Sequence, residues 1–388
     1  MKRTYHRRKI HLWAPNIFGY TGGLQKHLYF ILSAIQELLP NSDIRVFLKL
    51  DRKSDLLNGH ISPNTRFYCS GDTLPILRNI CFSIRIFMHC LFDRPELLVI
   101  GHVNFTPVAW IIRRITGVPY CVVSFGIESW VKNKYFLSKA LRDADRIFSM
   151  SDYTRNRISA KHDIRLNKIS LLHGTFDSGC FRIAPKPEYL LKKYRLREDQ
   201  PVILTVCRLE RSEQYKGYDK MIEALPEIAK SFPDTRYILV GSGDDLERIK
   251  SIVSEHKLGD NVIIAGAFIG KELCDHYNLC DCFAMPSKQE GFGIVFIEAL
   301  ACGKPVLAGN QDGSVDALNK GELGVLVDPN NVNDISKELI RILKHEYPNP
   351  IIYEPEALRK KAIEYFGFGR FKETIGNYLE GFFPDGES

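Results

Sequence analysis

Two successive runs of short apolar strands alternating with amphipathic helices constrain this chain more than any other feature. A strand followed by a helix and then another strand pairs in parallel, because the crossover helix carries the chain back to the same end of the sheet. In the first run, residues 9–15, 43–50, 97–101, 120–125, 146–149 and 169–172 read as strands. Residues 24–39 keep apolar side chains near i, i+3, i+4 and i+7 and read as the first helix. In the second run the strands are 202–208, 237–240, 262–265, 282–286, 306–308 and 324–327. Helices over 218–232 and 271–280, and one that follows Gly241-Ser242-Gly243 and ends at Lys257, separate the first of them. The pattern predicts an α/β chain of two Rossmann-like, doubly wound parallel-sheet domains facing a cleft.

At 388 residues the chain exceeds what one core usually serves. Residues 1–180 read as an N-terminal domain and 201–364 as a C-terminal domain. The proline-bearing stretch around Ala184-Pro185-Lys186-Pro187 reads as a linker over 181–200, and 365–388 as a helix crossing back to the first domain.

Charge divides unevenly between the halves. Residues 1–180 carry 26 Lys and Arg against 13 Asp and Glu, whereas 181–388 carry 27 against 33. A basic first half suggests an anionic partner. No nucleic-acid motif is present, so a bilayer surface or lipid phosphate is expected and nucleic acid is not. Residues 78–92 mix Arg78, Arg85 and His89 with bulky apolar residues. That composition fits an interfacial helix, and equally a core helix with two solvent-facing arginines. The ten cysteines lack Cys-x-x-Cys spacing, which fits a reducing cytosol better than a zinc or disulfide framework. No apolar signal segment follows the basic start, and the uncharged stretch 97–112 is too short to span a bilayer. A cytoplasmic location is expected, peripheral on the inner face of the plasma membrane.

Chemistry concentrates in two segments of the second half. The first is Pro286-Ser-Lys-Gln-Glu290-Gly-Phe-Gly293-Ile-Val-Phe-Ile-Glu298, which sets two carboxylates around a Gly-Phe-Gly turn. The following helix should start at the turn, where unpaired N–H groups suit an anion. A capping acid plus a buried, paired Glu would also explain the pattern. The second is Arg208-Leu-Glu-Arg-Ser-Glu-Gln-Tyr-Lys216-Gly217, which brings a fork and a point charge to one sheet edge. That pair suits a pyrophosphate, and surface pairing with Glu210 and Glu213 is the plainer alternative. In the first half, Gly19-Tyr20-Thr21-Gly22-Gly23 could cradle phosphate or simply turn. Neither Gly-x-Gly-x-x-Gly nor a Walker lysine is present.

Taken in order, Arg208-Leu209…Lys216-Gly217, Gly241-Ser-Gly, Met285-Pro-Ser and Glu290-Gly-Phe-Gly-x4-Glu298-Ala-Leu-Ala-x-Gly303-x-Pro305-Val resemble the family 4 retaining glycosyltransferases of the GT-B fold. Gly22-Gly23, Glu128-x-Trp130, Ser151-x-Tyr153-Thr154 and His173-Gly-Thr-Phe-Asp177 extend the resemblance into the first half. The resemblance implies that Arg208 and Lys216 bind the donor diphosphate and that Glu298 holds the ribose hydroxyls. Glu290 would hold the donor sugar, with Gly291, Phe292, Gly293 and Ile294 lending backbone, and Gly22 and Gly23 would complete the donor site. It implies no metal and no cofactor beyond the nucleotide sugar as co-substrate. Asp143-Ala-Asp145 only superficially matches a metal-binding Asp-x-Asp.

One departure stands out. Phe125-Gly126 replaces the His-Gly usual in relatives; His102, at the end of an adjacent strand, is the candidate substitute at the reaction centre, the alternatives being that catalysis needs no such histidine and that His102 is a satisfied loop residue. The reading is a retaining, metal-independent hexosyltransferase acting on a glycan or polyprenyl-diphosphate-linked acceptor in bacterial polysaccharide assembly. Two alternatives stay open, a non-catalytic nucleotide-sugar-binding partner subunit and a GT-B sugar-nucleotide epimerase.

Overall fold

The computed structural model describes residues 7–19, 22–58, 62–130 and 135–383. It divides into two compact units, residues 1–173 with 369–388, and 174–368.

In the first unit the strands are β1 (Lys9–Ala14), β2 (Asp43–Leu48), β3 (Thr65–Cys69), β4 (Leu97–Ile100), β5 (Tyr120–Ser124), β6 (Arg146–Ser149) and β7 (Ile169–Leu171). They pair in parallel in the order β3-β2-β1-β4-β5-β6-β7. The helices are α1 (Gly23–Leu38), α2 (Pro75–Asp93), α3 (Thr106–Thr116), α4 (Tyr135–Asp143) and α5 (Asp152–His162). Strand β4, Leu-Leu-Val-Ile, is buried at every position, as a strand covered on both faces must be. Trp13, Phe47, Ile86, Ile100, Ile112, Val122 and Ile147 belong to one core cluster.

The second unit contains β8 (Val202–Val206), β9 (Arg236–Val240), β10 (Val262–Gly266), β11 (Cys282–Met285), β12 (Val306–Gly309) and β13 (Val325–Val327). Their order is β10-β9-β8-β11-β12-β13, again parallel. Its first helices are α6 (Glu188–Tyr194), α7 (Tyr218–Ser231), α8 (Leu246–Glu255), α9 (Gly270–Leu279) and α10 (Ile294–Ala301). Then come α11 (Ser314–Ala317), α12 (Val332–Leu343) and α13 (Pro355–Phe366), while α14 (Phe368–Phe382) runs into the first unit. In both sheets the order reverses beside the first strand, between β1 and β4 and between β8 and β11. The crevice outside the strand ends at such a reversal is where doubly wound sheets take ligands.

Two sequence readings change. Strand β3 was not anticipated, because the edge strand Thr-Arg-Phe-Tyr-Cys is only partly buried and lacks a core-strand pattern. The stretch 181–200 is not a linker but part of the second unit. Ala184 N donates to Asn278 Oδ1 at 2.9 Å, Lys186 Nζ bonds Asp281 Oδ2 at 2.9 Å, and Leu190 of α6 is buried. Proline content alone does not separate a free linker from an extended segment laid on a domain. At the other end, α14 anchors to the first unit through Tyr378 Oη, which donates to Leu171 O at 3.1 Å, and the Lys372–Glu37 ion pair of 2.6 Å.

Helix α2 inverts the core-helix reading. Arg78 and Arg85 turn onto the backbone carbonyls of Gly71, Thr73 and Cys69, while Ile76, Ile80 and Ile84 face outward. Asp143 and Asp145 are structural. Asp143 Oδ2 accepts from Trp110 Nε1 at 2.6 Å and Arg114 at 2.9 Å, and Asp145 takes Arg113 and the Tyr120 amide.

Candidate active site

The loops after β8 and β11 flank the reversal point of the second sheet and carry the charged residues singled out above. After β8 the chain makes a short 3-10 segment, Arg211–Lys216, and turns at Gly217, whose φ is 82°. A Cβ there would lie 2.2 Å from Pro286 O, so glycine lets this loop press against the β11 loop. Lys288 N donates to Tyr215 O at 3.0 Å and ties the two loops directly.

That contact sets Lys216 against Glu290. Their side chains form an ion pair, with only 12% and 16% of their surfaces exposed. Burial works against the Lys216 charge, and Glu290, together with Tyr215 and Glu213, outweighs it and raises the ammonium above its usual range. Lys216 is therefore fully charged at neutral pH. Arg208 pairs with Glu213; the guanidinium is 58% exposed and the carboxylate 11%. Burial raises Glu213, while Lys216 and Arg208 both pull it down, so one carboxylate senses both cations.

Beyond Glu290, Gly293 (φ 86°) caps the N-terminus of α10, and a Cβ there would meet the Phe296 ring at 2.3 Å. Phe292 is buried against Phe366 and Ile294 is nearly buried, so Gly291 to Ile294 can offer a ligand only backbone. Glu298, one turn into α10, is 1% exposed and accepts from Tyr277 Oη at 3.0 Å.

Sequence reading missed Asp312, in the loop after β12. Its buried carboxylate accepts from Ser287 Oγ and Glu290 N at 2.7 Å each, and from Ser314 N at 2.9 Å and Ser314 Oγ at 2.6 Å. Gly313 N donates back to Glu290 O at 2.9 Å. Asp312 thus fixes the backbone that carries Glu290. Its only signal in the sequence is an ordinary Asp-Gly turn. Asp312→Ala strands several buried donors and is expected to cost at least about 3 kcal/mol of stability. A thermal melt within about 0.5 kcal/mol of wild type, the scatter of plain surface substitutions, would refute this role.

The remaining predicted residues lie on the first unit. Gly22 is the extended N-cap of α1 and Gly23 its first residue, with no acidic side chain in the first turn. Tyr20 and Thr21 of the same loop lie outside the described residues. A second residue that sequence reading missed, Asp51, holds the preceding loop: its carboxylate accepts from the amides of Ile17, Phe18 and Gly19 at 2.7, 3.1 and 2.8 Å. His102 caps the turn after β4, its Nδ1 accepting from Asn104 N at 3.1 Å, which leaves the proton of the neutral ring on Nε2. Burial lowers its pKa and Glu128 opposes that. Phe125 N donates to Glu128 Oε1 at 2.7 Å, and the Phe125 ring meets the His27 ring edge-on at 5.5 Å. Among the described residues no group of three His, Cys, Asp or Glu could hold a metal ion.

Residues 188–365 match the profile of the family described as glycosyl transferases group 1. The match lies within the second unit and covers most of it. The chain is 34% identical over 206 residues to a GDP-mannose-dependent alpha-(1-6)-phosphatidylinositol monomannoside mannosyltransferase of Mycolicibacterium smegmatis, covering 50% of this chain and 52% of that protein. It is 27% identical over 230 residues to a 2-deoxystreptamine glucosyltransferase of Streptomyces kanamyceticus, covering 59% of this chain and 58% of that protein. The chain thus spans about half the length of the mannosyltransferase it matches. Among solved structures it resembles Anabaena HepE in complex with UDP, with a TM-score of 0.79, 19% identity and coverage of 96% and 100% of the two chains. Sucrose-phosphate synthase from Thermosynechococcus elongatus matches with a TM-score of 0.79 and 20% identity over 97% and 99% of the two chains. Two Rossmann-like units with these neighbours make the fold GT-B.

Proposed function

We propose that this chain is a family 4 glycosyltransferase that moves a hexose from a nucleotide diphosphate sugar, with retention and without a metal, to a hydroxyl of a lipid-linked glycan in bacterial polysaccharide assembly. The observation that carries the reading is the buried Lys216–Glu290 ion pair beside the Arg208–Glu213 pair, at the carboxyl ends of β8 and β11. The named activity of the mannosyltransferase relatives favours GDP-mannose as donor.

In this reading the diphosphate gains charge as the sugar leaves, and Lys216 and Arg208 meet that charge as preorganised donors. Glu290 keeps Lys216 ionised and offers its carboxylate to sugar hydroxyls, Glu298 takes the ribose hydroxyls, and the backbone of Gly291 to Ile294 borders the sugar and phosphate. Gly22 and Gly23 are assigned to donor binding, and His102 Nε2–H takes the place of the histidine for which Phe125 is substituted. Attachment to the inner face of the plasma membrane would bring the enzyme to such an acceptor.

Nucleotide release from GDP-mannose, UDP-glucose and ADP-glucose, with and without bacterial lipid extract, tests the proposal for wild type and Phe125→His. The expected result is release from GDP-mannose that rises with lipid, persists in EDTA and gives an α-linked product by NMR. Silence in wild type with activity in Phe125→His would mean a donor-binding subunit. An altered sugar released without acceptor would mean an epimerase.

A further inference from the structure

Helix α2 is 19 residues long and apolar enough to cross a membrane by length and composition, yet only 17% of its apolar window is buried. Its outward face repeats every fourth residue: Ile76, Ile80, Ile84, Met88 and Phe92 are 88, 58, 57, 43 and 77% exposed. Helix α3 packs beside α2 and exposes Ile111 and Ile115. Soluble proteins rarely leave so long an apolar row in water.

The opposite face cannot leave the protein. Phe82, Ile86 and Cys90 are buried in the core of the first unit, and Asp93 is paired with Arg45. A helix held this way cannot span a bilayer without unpacking the unit, but it can lie in the plane of one.

We infer that the outer face of α2 seats the first unit on an anionic lipid bilayer, the isoleucines entering the acyl boundary. Charge selects this occupant over a second copy of the chain. Among the described residues Arg78 and Arg85 form no ion pair and bond neutral acceptors, the carbonyls of Gly71, Thr73 and Cys69 and the hydroxyl of Ser70. Arg94, exposed, closes the helix. Residues 1–180 carry twice as many cations as anions, 26 against 13, so two copies face to face would repel, whereas lipid phosphates would attract. The inference adds a specific surface to the proposed membrane attachment, and its test reads lipid binding alone, so it stands or falls separately from donor chemistry.

The test is flotation of the full chain with phosphatidylcholine vesicles, with and without phosphatidylglycerol, for wild type and the Ile80→Gln/Ile84→Gln variant. Both substituted positions are exposed, so the variant should fold, and an unchanged circular dichroism melt checks that. Wild type should float with phosphatidylglycerol vesicles and partition at least about tenfold more strongly than the variant. Equal flotation of the two proteins, or no flotation of wild type, would overturn the inference. A dimer in sedimentation velocity that the substitutions abolish, without vesicle binding, would assign the face to a second copy instead.

Discussion

Lys216→Ala is expected to lower turnover about a hundred- to a thousandfold, equivalent to about 2.7–4 kcal/mol of lost transition-state stabilisation. Two effects combine. The departing diphosphate loses a fixed cation, and Glu290, only 16% exposed, is left as an unpaired buried carboxylate. Glu290→Gln should also be slow, because it removes the partner that keeps Lys216 raised against its burial. The double substitution should cost much less than the sum of the singles, since residues in direct contact couple. Nucleotide release rates for the four proteins measure this, with a thermal melt to separate catalysis from folding. Wild-type rates in Lys216→Ala, or strict additivity in the cycle, would remove the pair from the mechanism.

Acid should destabilise the first unit through two buried histidines. His27 of α1 lies between the rings of Phe125 and Phe371 at 5.5 and 5.3 Å, and among the described residues neither ring nitrogen has a hydrogen-bond partner. Burial, with a smaller push from His173, holds its pKa down at about 3. His11 of β1 is also held at about 3, by burial first and then by Arg45. The sign follows from the unfolded chain, where a histidine titrates near 6.5. Between about pH 6.5 and 3 the unfolded state binds more protons, so the stability present above 6.5 is lost as pH falls, at about 1.4 kcal/mol per pH unit for each histidine. From pH 8 to 5 the pair should cost about 4 kcal/mol. His27→Leu should halve that loss. Urea melts of both proteins at the two pH values decide it, and a wild type equally stable at pH 5 and 8 would contradict the burial of these rings.

The strand–helix alternation alone was enough to give two doubly wound parallel sheets, because strand period, helix period and crossover geometry are local properties of the chain. The Arg208 to Lys216 and Glu290 to Glu298 segments were legible for the same reason. Each lies at a strand end, and Gly217 and Gly293 mark turns that a side chain would block. What the sequence left open depended on partners distant along the chain. Whether Lys216 faces Glu290 or solvent is decided by a contact 74 positions away. Asp312, whose carboxylate holds Ser287, Glu290 N and Ser314, looks like any turn aspartate until the β11 and β12 loops are side by side. The same holds for α2. Its composition fitted an interfacial helix and a core helix equally, since periodicity fixes which residues share a face but not which way that face turns. That was settled by the carbonyls of Gly71, Thr73 and Cys69, onto which Arg78 and Arg85 turn, while Ile76, Ile80 and Ile84 face outward. Sequence determined the elements and their order, and tertiary structure alone decided which charges are paired and which apolar face is left uncovered.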